Sequence, residues 1–130
     1  MNKPILCVDF DGVLHSYTSG WQGANVVSDP PVEGALHFLV AAMQYFRVAI
    51  YSSRSNQEGG IRAMREWLGF WSVDAEHGMP RDFDHGAWGA IEWPTEKPPA
   101  MVTLDDRAIT FTGAWPEMEA LRNFKPWNKP

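Results

Sequence analysis

A chain of 130 residues, 45% of them apolar, is large enough for one hydrophobic core and too short for a catalytic domain with a separate cap domain. Its 16 acidic and 11 basic residues leave a formal charge of -5, which excludes a general electrostatic pull towards nucleic acid or anionic membranes but not local phosphate-binding cations. The lone cysteine, Cys7, lies in an apolar run, so a disulfide framework is excluded; with no leader pattern and no run near the ~20 apolar residues of a membrane span, a cytoplasmic setting is expected.

In chain order, residues 4–10, "PILCVDF", are short, apolar and β-rich, as in a strand buried on both faces. A long polar loop follows, "HSYTSGWQGANVVSDPP", of a length that usually carries function or moves. From Val32 the spacing of Leu36, Leu39, Met43 and Phe46 predicts an amphipathic helix with Pro31 in its first turn. "RVAIYSSRS" is a second strand ending in small polar residues, and "QEGGIRAMREWLGF" a second helix with Ile61, Met64 and Leu68 on one face.

Residues 72–89 are polar and turn-rich, "AIEW" is a short third strand, "AMVTLDD" a fourth and "AITFTG" a fifth. A last helix is predicted from Pro116, carrying Met118, Leu121 and Phe124 inward. Strands alternating with helices argue one α/β domain over 1–130, an about five-stranded parallel sheet with helices on both faces. Most of the seven tryptophans and seven phenylalanines are expected as core or loop anchors.

In such a sheet the ligand site lies beyond the carboxyl ends of the strands. The polar residues fall there repeatedly: Asp9 and Asp11 after the first strand, Ser52, Ser53 and Arg54 after the second, Lys97 before the fourth, Asp105 and Asp106 after it. Asp9 and Asp11 each raise the cost of ionising the other, so they call for a cation. Carboxylates at this density suit Mg2+, which takes one or two of them with water and a substrate phosphate. A carboxylate nucleophile, a metal, a hydroxyl and a lysine together make a phosphoryl-transfer site.

These four segments, in this order, resemble the haloacid dehalogenase superfamily of phosphatases and phosphotransferases. "ILCVDFDGVL" matches its first motif, "VAIYS" its second at Ser52, Lys97 the basic residue of its third, and "VTLDD" its fourth. The resemblance implies a Rossmann-like fold without a cap domain. It also implies Asp9 as the nucleophile that forms an aspartyl-phosphate, and Asp11 as the acid and base, with Gly12 letting the backbone turn. Mg2+ would be held by Asp9, the Asp11 carbonyl and one of the final pair, Asp106 ahead of Asp105. Ser52 would bond phosphate and Lys97 would balance charge.

"YSSR" is similar to the phosphatase domain of phage polynucleotide kinase, where the arginine engages phosphate, and "LDDR" to the 5'(3')-deoxyribonucleotidases. The expected substrate is therefore a polynucleotide 3'-phosphate or a nucleotide, reached through an open site or one closed by a second subunit, with Arg54, Arg62, Arg65 and Lys97 as a local basic patch. His15, Tyr17 and Trp21 stand in the loop after the nucleophile as substrate contacts or loop anchors. His77 and His85, with no cysteine or helical spacing beside them, do not make a zinc site. A response-regulator receiver domain is the nearest rival, but its adjacent acidic pair follows the first strand, whereas here it comes last. A catalytically silent Mg2+ and phosphate-binding module is the other, and Asp11 speaks against it.

Overall fold

The structure, a computed structural model, describes residues 3–129. Three strands form one parallel sheet in the order β2-β1-β3, with β1 (Ile5–Val8) between β2 (Arg47–Ile50) and β3 (Val102–Leu104). Leu6 stands opposite Val48 and Val102, and Val8 opposite Ile50 and Leu104. The two-residue period sends Leu6, Val8, Val48 and Ile50 into a single buried cluster. Two helices complete that cluster, α1 (Ala35–Met43) through Leu36 and Leu39 and α2 (Gly60–Ser72) through Met64, Trp67 and Leu68.

Both helices therefore lie on the same face of the sheet, because the segment after α2 first pairs on the outer side of β2, at Glu92, so the two right-handed crossovers run in the same direction. The expected five strands with helices on both faces reduce to three strands and one helical layer. "AIEW" contributes a single parallel bridge, Glu92 to Ala49, whose bonds to Val48 and Ile50 measure 2.9 Å each. "AITFTG" forms no strand. Gly113, at φ 101°, turns the chain back so that the Phe111 and Trp115 rings meet at 4.8 Å, and a doubled-back segment cannot extend the sheet.

Local backbone chemistry explains the helix boundaries. Helix α1 starts later than its apolar spacing suggests, because Ser16 and Val32 donate to the Pro30 and Leu14 carbonyls and hold residues 30–32 against the loop, and Gly34, at φ 81°, opens the helix. At the start of α2 a Cβ on Gly60 would stand 1.9 Å from the Arg54 carbonyl oxygen, so only glycine fits. The final helix, α3 (Met118–Arg122), has five residues and buries none of them. Met118, Leu121 and Phe124 point outward rather than inward, and Trp21, Trp115 and Trp127 are likewise exposed. Among the described residues no helix is long and apolar enough to cross a membrane.

Candidate metal and phosphate site

The three strand ends meet at one cleft because the ladder runs one residue past the strands. Asp9 N–H donates to the Leu104 carbonyl at 2.9 Å, and Tyr51 N–H to the Val8 carbonyl at 3.1 Å. The chain then reverses at once, with the Leu14 and His15 amides both donating to the Phe10 carbonyl. This brings carboxylate oxygens of Asp9, Asp105 and Asp106 within 4.8 Å of one another, although two of the three residues are about a hundred positions from the first.

Their electrostatics are those of a site that accepts a cation. Burial pushes the Asp9 carboxyl up to about 8, helped by the Asp105 charge and a hydrogen bond with Asp106. The Asp106 side chain is 4% exposed, and its Oδ1 is buried with no hydrogen-bond partner. An orphaned carboxylate oxygen beside a carboxyl that resists ionisation fits a hard divalent ion. Asp105 Oδ1 instead accepts the Arg107 N–H at 2.8 Å, which leaves Asp106 the better direct ligand of the pair.

A pH dependence follows. Folded Asp9 keeps a proton that the unfolded chain releases near its ordinary 3.8, so this stabilising contribution is complete below 3.8 and is lost as pH rises through about 8. Asp11 and Asp29 are held below the ordinary range and act only at lower pH. The thermal midpoint of the chelated protein is therefore expected to fall between about pH 5 and pH 8, and millimolar Mg2+ to remove that fall. Equal slopes with and without Mg2+ would rule the metal site out.

Gly12 makes the close approach possible. It sits at φ +83°, and a Cβ there would lie 2.2 Å from Asp106 Oδ2. Gly12→Ala is expected to displace Asp106 and weaken divalent-ion binding at least ~10-fold, measured by isothermal titration, with the α1 and α2 core intact.

The Asp11 side chain turns away from this cluster to a second network. His15 Nδ1 and Asp11 Oδ1 are 2.8 Å apart, while the Asp29 N–H donates to His15 Nε2 at 3.1 Å. A backbone donor on Nε2 places the imidazole proton on Nδ1, from where it is donated to Asp11. Arg54 completes the arrangement. Its Nε reaches both Asp11 oxygens, at 2.9 and 3.2 Å, and Nη2 reaches Oδ1 at 3.1 Å. Burial alone would raise the Asp11 carboxyl, but the bonds from His15 and Arg54 and the Arg54 charge outweigh it and hold Asp11 below the usual range.

Arg54 and His15 are therefore engaged by the protein itself in this structure. Arg54 is fully buried, and its Nη1 donates to the carbonyls of Gly23, Ala24 and Val26. His15 is 1% exposed, packed between the rings of Phe10, Tyr17 and Trp67. The loop from 16 to 31 is thus fastened from inside. Asp29, which the sequence reading did not single out, accepts the Ser19 N–H and Oγ–H, and its carbonyl accepts the Trp67 indole N–H at 2.8 Å.

What remains is a cleft of about 250 Å3 lined by Asp9, Asp11, Ser52, Ser53, Asp105 and Asp106, with Tyr17, Trp21 and Arg107 at its border. Ser52 Oγ accepts the Arg54 N–H at 3.0 Å and so closes the turn after β2 while still bordering the cleft. Tyr17 holds a left-handed φ of 62°, the one non-glycine residue described at positive φ. Trp21 is half exposed and lies 4.9 Å from the Arg54 guanidinium, so of the two expected contacts it is Trp21 and not His15 that meets the cleft.

Lys97 is exposed in the segment before β3 and does not line the cleft, where the bordering cation is Arg107, which the sequence reading left unassigned. The basic patch of Arg54, Arg62, Arg65 and Lys97 is not assembled there. Arg54 is interior, and Arg62 lines a separate groove with Gln57 and Glu58. Comparisons with protein-family models, with curated proteins and with solved structures return no match.

Proposed function

We propose that the chain is a divalent-cation-dependent phosphomonoester hydrolase of the haloacid dehalogenase type, with Asp9 as nucleophile. The observation that carries this reading is the gathering of Asp9, Asp105 and Asp106 at the carboxyl edge of a parallel sheet, with Asp11 beside them but held in a different network. An Asp9 oxygen attacks phosphorus and the bond to the ester oxygen breaks, leaving an aspartyl-phosphate. Water then attacks the same phosphorus, which releases phosphate and frees the carboxylate. Asp11, in the acid and base role the family resemblance implies, takes the proton of that water and returns it to the ester oxygen of the next substrate, a role that requires its carboxyl to turn from Arg54 and His15 into the cleft. When bound, Mg2+ supplies charge neutralisation between the carboxylates and the phosphoryl oxygens.

Ser53 and Arg107 are the further phosphate contacts supported by the cleft lining, with Ser52 fixing the turn that carries Ser53. Lys97 retains the charge-balancing role implied by the family resemblance only if its segment moves towards the cleft. The small cleft volume suits a phosphate group rather than a whole metabolite, and the exposed Trp21 face beside it suits the base of a nucleotide or of a polynucleotide end. A reduced, cytoplasmic setting is part of the same reading and is supported by the buried free thiol of Cys7.

The test is hydrolysis by the purified chain, with Mg2+ and with chelator, of a chromogenic phosphate ester, nucleoside monophosphates and a 3'-phosphorylated oligonucleotide. Mg2+-dependent phosphate release with preference for the nucleotide substrates is expected. A preference for sugar phosphates would sink the nucleotide assignment. No turnover of any ester despite measurable Mg2+ binding would favour a silent binding module.

A further inference from the structure

The C-terminal portion of the chain carries an apolar surface that the fold leaves uncovered. Strand β3 lies at the sheet edge and pairs only with β1 among the described residues, and Val102 and Leu104 are both exposed. After a four-residue turn the chain forms a groove of about 810 Å3 between Ile109 and Leu121. Its walls include strongly exposed apolar side chains: Trp115 at 85%, Met118 at 73%, Phe111 at 56% and Ile109 at 52%.

We propose that this surface, the β3 edge together with the 109–121 groove, is the interface with a second copy of the chain. Area is the first argument. At roughly 150–250 Å2 for a large side chain, the four groove walls with Leu121 leave on the order of 600 Å2 open to water, and Met101, Val102 and Leu104 along β3 add on the order of 300 Å2. A monomer seldom exposes an apolar patch above a few hundred Å2, whereas a stable pair buries ~800 Å2 on each partner.

Charge is the second argument, and it favours self-association. The body of the chain carries the whole net charge of -5, while in residues 101–130 four acidic and four basic residues balance. Two copies meeting through this segment bring neutral surfaces together and keep the acidic bodies apart. A two-fold axis also satisfies the geometry, since an open strand edge can pair with its own copy and end there, without leaving a new edge.

The inference stands apart from the proposed activity but touches it, because Asp105 and Asp106 directly follow β3. A strand exposed on both sides holds them less firmly than a strand buried in a pair, so divalent-ion binding and pairing are expected to strengthen each other.

Sedimentation and light scattering of the full chain over roughly 1 to 100 µM test the interface. The expected mass is twice the 14.7 kDa of one chain. The double substitution Trp115→Glu and Met118→Lys is expected to weaken the pair at least ~30-fold, as loss of a buried aromatic anchor does, with the far-ultraviolet spectrum unchanged. Phe70→Glu, at an equally exposed position on α2, is expected to leave it intact. In the unsubstituted chain, amide exchange in residues 102–104 and 109–118 is expected to slow as concentration rises, which keeps the test alive should the double variant not fold.

A monomer at every concentration would overturn the proposal and leave the surface to a different protein. It would equally be overturned by open-ended assembly, by a pair indifferent to the double substitution, or by exchange in those segments that does not change with concentration.

Discussion

Asp9→Asn is expected to abolish phosphate-ester hydrolysis, by at least ~10^4-fold, while making the metal-free protein more stable above neutral pH. The two effects have one origin. Asp9 is a half-buried carboxyl beside two others, and its ionisation is costly enough to push it up to about 8. Under the proposed function the same surroundings have a use, since an ion that neutralised Asp106 and Asp105 would also release the Asp9 carboxylate for attack. The amide removes both the nucleophile and the ionisation cost, and it can still bond to Asp106. Turnover of a chromogenic ester and thermal unfolding at about pH 8 with chelator read the two halves separately. If activity survives, Asp9 is not the nucleophile. If activity is lost but the metal-free protein is destabilised, the carboxyl was not under electrostatic strain.

The parts of this site that were legible in the sequence are those that end apolar strands. "ILCVDFD", "VAIYSS" and "VTLDD" each announce a buried strand and the polar residue at its tip, and the parallel arrangement does the rest by bringing the tips together. Arg54 was ambiguous because its partners are three carbonyls of an irregular loop, and backbone acceptors in a loop leave no pattern in side-chain identity. His15 follows Asp11 by four positions, a helical spacing, yet the two meet across a tight turn, so its role depended on where the chain reverses. The cation at the cleft shifted from Lys97 to Arg107 for a similar reason, since the path of the segment before β3 is set by prolines and not by periodicity.

The lost fifth strand and the outward third helix have a different cause. "AITFTG" has the β-branched and aromatic composition of a strand, but such propensity expresses fit to a half-buried pleated surface, which requires a neighbour. Among the described residues no second helical layer covers the sheet beside β3, so that composition remains as exposed apolar surface. An amphipathic pattern identifies a face that needs covering, without saying whether the same chain supplies the cover. The same patterning that predicted an inward face for Met118 and Leu121 is therefore consistent with burial between two copies.

Arg54→Ala is expected to cost about 3–5 kcal/mol, a loss of roughly 10–20 °C in thermal midpoint for a chain of this size. The guanidinium is fully buried and joins the Asp11 carboxylate, on the turn after β1, to the Gly23, Ala24 and Val26 carbonyls of the long loop. Its removal leaves a buried charge and three carbonyls without their donor, so the penalty is that of unpaired groups and exceeds the net worth of the ion pair itself. Arg54→Lys is expected to recover little. One ammonium cannot reach both Asp11 oxygens in the plane of the fork while also meeting three carbonyls on the other side. An arginine that contacted substrate phosphate would behave in the opposite way, raising KM on substitution with unfolding unchanged and with partial rescue by lysine. Urea unfolding and steady-state kinetics on both variants separate the two roles, and a stable Arg54→Ala with a raised KM would return Arg54 to the phosphate.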